Sequence, residues 1–439
     1  MFTAETLEVV MVCFEGPDRY SMAGGLGVRA RELCRALADA GLRTTLVFCG
    51  DADAPPTEVV DGVRLVRWAQ HISRRHPAGV YEGEYAKIAN IDAYLPAWIT
   101  DNVVVPAAAE GRSVAVFAEE WHTASFCNAL SDVLHRRGLR QHCAILWNAN
   151  NTFGFDRINW GALGYVSAIT TVSRYMKHLM WPHGVNPMVI PNGIPEAALE
   201  PVDVTAVAML RSAADTGCLT FKRGRFTDDK RWHQAISAIA ALRASNVPAR
   251  LVMRGGIEPF GGTVITHAVS LGLQVADWYD AVEDLGGLVR ALRDTNGAPV
   301  VNMRRFMPDS IIPPLDVAST AVLANSGHEP FGLVGLEAMA AGAVAIVGAT
   351  GEEYALPYTN AIVTETRDPT EVASALRGLV ERPALSARLR IAARRDAAAF
   401  AWPTVVDGLL ERLRFVCLQQ RVIVNEPVVR VSVPTSRAG

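Results

Sequence analysis

The sequence predicts an α/β chain made of two Rossmann-like halves, each a parallel sheet covered by helices on both faces. Three observations carry this. Short, continuous apolar runs alternate with amphipathic helical stretches, the pattern of strands buried on both faces. The same alternation restarts after a turn-rich break that runs from Pro191-Asn192-Gly193-Ile194-Pro195 to Pro201. The chain is 439 residues long, which suits two domains of about 200 residues each. The expected division is 1–195, 196–400, and a closing segment 401–439.

In the first half, Leu7–Phe14 reads as a strand, Val28–Ala40 as a helix and Thr44–Phe48 as a second strand. Val114–Phe117 and Ala144–Trp147 are further strands, with the helix Ala124–Arg137 between them. Residues 70–112 read as a long aromatic insertion, with Tyr81, Tyr85, Tyr94 and Trp98 among several Gly and Pro. It is either an acceptor-binding or partner-facing loop, or an ordinary insertion packed on its domain. Val189–Ile190 is a short strand before the break. The second half runs through strands at Leu219–Phe221, Arg250–Met253, Val300–Asn302, Thr320–Ala324 and Val344–Val347. Its helices are Gln234–Ala244, Val264–Leu271 and Leu333–Ala341. Pro369–Val380, Ala384–Ala401 and Thr404–Leu418 are closing helices, and the last twenty residues read as an extended tail or edge strand.

Composition narrows the function. Half the residues are hydrophobic and 20% are charged, enough apolar surface for large cores. Forty-two Lys+Arg against 45 Asp+Glu leave a net charge of −3, which argues against a general nucleic-acid or anionic-membrane binder. The seven cysteines are scattered. They form no CxxC pair or Cys/His cluster, so the expectation is no structural metal, no disulfide framework and a reducing cytoplasm. The N-terminus reads as a first strand, not a signal peptide. No 18-residue window is continuously apolar, so no membrane span is expected.

Four constellations could carry chemistry. Gly24, Gly25 and Gly27 lie at a strand-to-helix turn, where glycine permits close backbone approach and a helix N-terminus favours an anion. The spacing is not GxGxxG, and such turns are common in any case. Arg225 and Lys230 flank a loop leading into a helix and could bracket a diphosphate, Arg as a bidentate fork and Lys as a point charge. The alternative is a solvated charged loop, because Asp228 and Asp229 lie between them. Glu329 precedes a Gly turn, and Glu337 follows on a helix that reads as core. There its carboxylate needs a partner, either ligand hydroxyls or a salt bridge. His122, in Glu119-Glu120-Trp121-His122, follows the strand Val114–Phe117, at the strand end where α/β sheets bind ligands. It is a site residue or a structural helix cap. Asp51-Ala52-Asp53, a DxD pattern, lies before Pro55-Pro56 and reads as a solvated turn.

Taken together, Gly24-Gly25-Leu26-Gly27, Trp121-His122-Thr123-Ala124, the Gly-Arg ending at Arg225 with Lys230, and the pair Glu329 and Glu337 resemble the retaining glycosyltransferases of family 4 and the bacterial glycogen and starch synthases. Val189–Ile194, Thr170–Ser173, Gly342 with Gly351-Glu352-Glu353, and Asn360-Ala361 extend the resemblance over most of the chain. The resemblance implies a GT-B fold, two facing Rossmann-like domains with a cleft between them and a last helix crossing back to the first domain. It implies that Arg225 and Lys230 hold the donor diphosphate. Glu329, with backbone N–H groups around Gly332, Leu333 and Val334, would contact the donor sugar, and Glu337 the ribose. His122 would meet the transferred sugar near the reacting carbon, and Gly24, Gly25 and Gly27 would approach phosphate and acceptor.

The implied activity is transfer of a hexose from a UDP, ADP or GDP sugar to a sugar or small molecule, with retention and without cofactor or metal. The base and the acceptor stay open. Met22 replaces the synthases' lysine, Glu119-Glu120 their His-Asp, and Pro195 the usual aspartate, which suggests a different donor or acceptor. The rivals are a catalytically silent nucleotide-sugar binder, a nucleotide-sugar epimerase and a phosphorylase of related fold. High Ala and Arg content suggests a GC-rich bacterial source.

Overall fold

The computed structural model describes residues 2–424. The chain divides into two compact units, each built on one sheet. The first unit takes the chain to Val172, then Met176–Ile190 and the described residues from Pro403. The second takes Ser173–Tyr175 and Pro191–Trp402.

The first sheet has eight strands: β1 (Leu7–Cys13), β2 (Arg43–Cys49), β3 (Thr57–Val60), β4 (Val63–Trp68), β5 (Ser113–Glu119), β6 (Cys143–Ala149), β7 (Ala168–Thr171) and β8 (Met188–Val189). Their order is β3-β4-β2-β1-β5-β6-β7-β8, parallel except for β3. Every residue of β5 and β6 is buried, as expected of central parallel strands covered on both faces. β3 and β4 form a hairpin through Asp61-Gly62, both at positive φ (49° and 75°). Asp-Gly supplies that two-residue turn because both positions need the left-handed region.

Residues 70–112 differ from the expected loop insertion. They are largely helical and form the β4-to-β5 crossover: a short turn at Gln70–Ser73, the helix Glu84–Ile99, a π-helical stretch Thr100–Val104 and the helix Val105–Ala109. Pro96 inside the helix, together with the flanking glycines, disguises this. The spacing of buried Ile91, Leu95, Ile99 and Val103 at every fourth residue is the helical signal. The helix at Val28–Ala40 also begins earlier than expected, at Gly25. The Gly24–Gly27 segment is therefore the helix N-cap and first turn, not a loop before it.

The second sheet holds β9 (Cys218–Arg223), β10 (Ala249–Arg254), β11 (Val275–Trp278), β12 (Val300–Met303), β13 (Ala321–Ala324), β14 (Ala345–Val347) and β15 (Ile362–Val363). The order is β11-β12-β10-β9-β13-β14-β15, all parallel. Alternation along β10 puts Leu251 and Met253 in one apolar cluster and Val252 in another, so each face of this sheet carries its own core. The helices Val204–Ala214 and Leu285–Asp294 and the strand β11 were not anticipated. After the second unit, the helix Trp402–Gln419 brings the chain back to the first unit. There the Gln420 amide donates to Ile145 O (2.8 Å) and accepts from Ile145 N (2.9 Å) on β6. The expected tail lies outside the described residues from 425 onward. Among the described residues no helix is long and apolar enough to cross a membrane.

Strand order defines where ligands bind. In the first sheet the chain winds outward from β1 to β2 and later restarts at β5 on the other side. In the second it winds from β9 to β10 and restarts at β13. At such switch points neighbouring loops diverge and open a crevice at the carboxyl ends of the strands.

Candidate functional site

In the first unit, the loops at the switch point follow β1 and β5. The first supplies Phe14 and Glu15, the second Glu120, Trp121 and His122. Glu15 is buried and accepts the N–H groups of Gly24 (2.9 Å) and Gly27 (3.0 Å) on one oxygen. Its other oxygen accepts the Tyr81 hydroxyl. The helix N-terminus expected to receive a phosphate is thus satisfied by the unit's own carboxylate, for the reason that made it attractive to an anion. Gly24 and Gly25 remain exposed at the surface, whereas Gly27 is buried.

His122 is buried in the short turn Trp121–Thr123 and caps no helix with its side chain. Its ring packs against Phe14 (centroids 4.3 Å apart, 17° between planes) and Trp121 (4.2 Å, 30°). Its Nε2 is 2.8 Å from Glu84 Oε1. Burial lowers its pKa, outweighing Glu84, so the ring is neutral near pH 7. Below it, Glu119 accepts from Asn148 (2.9 Å), Asn150 (2.6 Å) and Arg29 (3.5 Å). Glu120 sits at φ 69°, its carbonyl accepting Trp147 Nε1 (2.8 Å) and its carboxyl Asn150 N (2.6 Å). Burial pushes that carboxyl up to about 8. A non-glycine residue in such a backbone region costs roughly 1–3 kcal/mol, and such strain concentrates at functional sites. The Asp51-Asp53 pattern closes a turn on itself, Asp53 N donating to Asp51 Oδ1 (3.0 Å).

In the second unit, the switch-point loops follow β9 and β13. The first carries Arg225 and Lys230, the second Glu329. Arg225 is exposed and its guanidinium has no hydrogen bond or ion pair among the described residues. Lys230 Nζ donates to Glu329 (2.5 Å) and lies 3.4 Å from Asp229. Burial pulls its pKa down, but Glu329 and Asp229 outweigh it and hold the ammonium above its ordinary value. Glu329 N donates to Thr350 Oγ1 (3.1 Å). Gly332 caps the helix Leu333–Ala341 at φ 81°, and a Cβ there would come within 2.7 Å of Glu352 Cγ. No side chain caps this helix start, so it keeps free N–H groups around Leu333 and Val334.

Glu337 differs from the buried carboxylate expected on a core helix. It is half exposed, and it pairs with Arg223 (3.1 Å). Arg223 also binds Asp316 (2.7 Å), which is fully buried and pushed up to about 6 by that burial. Arg223 stands at the end of β9, two residues before the arginine that the motif singles out.

Glu352 is another residue that the sequence does not single out for the site. Its Oε2 accepts from Thr350 N (3.2 Å) and Thr350 Oγ1 (3.1 Å), while its buried Oε1 has no partner among the described residues. Burial, then the nearby Glu329, pushes it up to about 8. Glu15, Glu84 and Asp316 were missed as well. Each is a single carboxylate whose partner lies far along the chain, and no local pattern marks it.

Residues 213–396 match the model of the glycosyl transferases group 1, and residues 23–197 that of glycosyltransferase family 4. The chain is 36% identical over 95 residues to a D-inositol 3-phosphate glycosyltransferase of Catenulispora acidiphila, covering 21% of this chain and 23% of that protein. It is 26% identical over 236 residues to a GDP-mannose-dependent α-(1-6)-phosphatidylinositol dimannoside mannosyltransferase of Mycobacterium tuberculosis, covering 54% of each. The chain thus spans about half or less of these curated relatives. The sucrose-phosphate synthase of Thermosynechococcus elongatus superposes with a TM-score of 0.65 at 18% identity, over 93% of this chain and 99% of that one.

Proposed function

The chain belongs to the group 1 glycosyltransferases and has the GT-B fold, and from that premise we propose that it moves a hexose from a nucleotide diphosphate sugar to a sugar or small-molecule acceptor with retention of configuration. One observation carries the reading most. In both sheets the family-like motifs fall on the loops that flank the topological switch point, β1/β5 in one unit and β9/β13 in the other. Such crevices bind ligands in doubly wound sheets irrespective of family.

In this reading the second unit takes the nucleotide diphosphate. Arg225, with no partner of its own, and Lys230, whose present partner a phosphate can replace, face the developing charge of the leaving group. The uncapped start of Leu333–Ala341 adds N–H groups. Glu329 accepts sugar hydroxyls, and Glu337, steadied by Arg223, holds the ribose. The first unit takes the sugar and acceptor side around Phe14 and the His122 turn, with exposed Gly24 and Gly25 open to close approach. Stabilisation by fixed cations needs no metal, so turnover survives chelation. Seven buried, unpaired thiols support a reducing compartment.

The relatives' names point to the first substrates to try: GDP-mannose as donor and an inositol phosphate as acceptor, beside UDP and ADP sugars. The test is a thermal-shift screen of nucleoside diphosphates and their sugars, then donor hydrolysis and transfer with the best ligand in the presence of EDTA. Stabilisation by one nucleotide class with release of nucleoside diphosphate supports the proposal. No shift with any nucleotide contradicts it.

A further inference from the structure

The residue expected to meet the sugar is closed off by its own unit. The His122 side chain is 5% exposed. Phe14 stacks on its ring and Trp121 lies tilted against it. Its Nε2 faces Glu84, and its buried Nδ1 has no partner among the described residues. A neutral imidazole carries one N–H, and a carboxylate accepts only, so the proton sits on Nε2 and points at Glu84. Nδ1 is then a buried lone pair, which costs less to leave alone than a buried N–H⁺. Other charged groups near the ring do not change this. Arg157 lies 4.6 Å over Trp121 and disfavours a second positive charge. Glu15 is taken up by two N–H groups and the Tyr81 hydroxyl, and Glu120 faces Asn150.

Glu84 is the more open member of the pair, its side chain 22% exposed. Oε1 is held by His122, whereas Oε2 has no hydrogen bond among the described residues. The turn that presents it is fixed from beneath. Lys87 Nζ, fully buried, donates to Tyr20 Oη (2.7 Å), Val80 O (2.6 Å) and Glu82 O (2.7 Å). Tyr20 Oη in turn donates to His76 O (2.8 Å). Gly83 has φ +68°, and a Cβ there would overlap the His76 ring. Three hydrogen bonds from a buried ammonium and a glycine-only turn thus hold Glu84 at the first position of the helix Glu84–Ile99.

Resting on the proposed function, we infer that Glu84 is the group of the first unit that accepts a hydrogen bond from a hydroxyl of the transferred hexose, with His122 as the buried positioning residue that orients it. His122 donates Nε2–H to Oε1 and fixes the carboxylate plane. Oε2 then receives the hydroxyl.

The test uses the full chain, with UDP-glucose and GDP-mannose as donor probes and UDP and GDP as binding controls. Loss of a charged acceptor is expected to lower kcat/KM for donor turnover about 10- to 100-fold in E84Q, with the Kd for the nucleoside diphosphate within twofold of wild type. H122Q, whose amide can still donate to Glu84, is expected to keep more activity than E84Q. Near-wild-type turnover in E84Q with a deep loss in H122Q overturns the inference, because His122 then meets the sugar itself. A second arm needs no turnover. ¹⁵N NMR of labelled histidines should find His122 as the Nε2–H tautomer at pH 7 to 8, and an Nδ1–H tautomer overturns the inference. If the wild type hydrolyses no nucleotide sugar, the proposed function fails, and the NMR arm still decides the Glu84–His122 arrangement.

Discussion

Replacing Glu352 by glutamine should flatten the pH dependence of stability. The wild-type carboxyl is buried, carries one partnerless oxygen and lies near Glu329, and together these push it up to about 8 from an ordinary 4.5. The folded chain therefore keeps a proton that the unfolded chain releases above its ordinary value. The contribution is fully present below the unfolded pKa and is lost as pH rises through the folded one. For one site with these two values, the stability lost between pH 6 and pH 8 is about 2 kcal/mol. Glutamine keeps an oxygen for the two Thr350 donors but has no proton to lose. Denaturant midpoints of wild type and E352Q, measured at pH 6, 7 and 8, report the difference. The variant's advantage over wild type is expected to grow by about 2 kcal/mol from pH 6 to pH 8. Parallel curves would refute the assignment of a protonated Glu352.

The remaining predictions concern the ion pairs and the turns. R225A and K230A should each lower turnover on the order of a hundredfold, the effect of removing one fixed charge-stabilising donor; steady-state kinetics with the best donor decides this. R223M leaves Asp316 buried without its cation and should cost about 3–5 kcal/mol, read as a lowered denaturation midpoint; a loss below 1 kcal/mol contradicts a tight Arg223–Asp316 pair. G154A places a Cβ against the Trp121 ring at a φ of +67°. It should lower both stability and turnover, whereas alanine at Gly41, which has open space at φ +83°, should show only the backbone cost.

Much of the architecture was legible because parallel strands buried on both faces leave continuous apolar runs, as in Ser113–Glu119 and Cys143–Ala149. Leu333–Ala341 was read with its bounds intact, since Gly332 and Gly342 mark both ends at positive φ. The 70–112 region was misread because Pro96 and the glycines outweighed the four-residue spacing of Ile91, Leu95, Ile99 and Val103. The motif residues could be found because several fall within a few positions of one another. Their partners could not. Glu15 and Tyr81 are 66 positions apart, Glu84 and His122 38, and Arg223 and Glu337 114. Such pairs exist only once strand order is known. The Gly24–Gly27 turn carries the same lesson. Two of its N–H groups are taken up by the Glu15 carboxyl, a partner that no local pattern marks.

Donor turnover by the unmodified chain, with the anomeric configuration of the product read by ¹H NMR, tests the central claim most directly. A nucleotide sugar should be consumed in EDTA, with stoichiometric nucleoside diphosphate release and a product of the donor's own configuration. An inverted product, or nucleotide binding without release of sugar from any UDP, GDP or ADP donor, would contradict it.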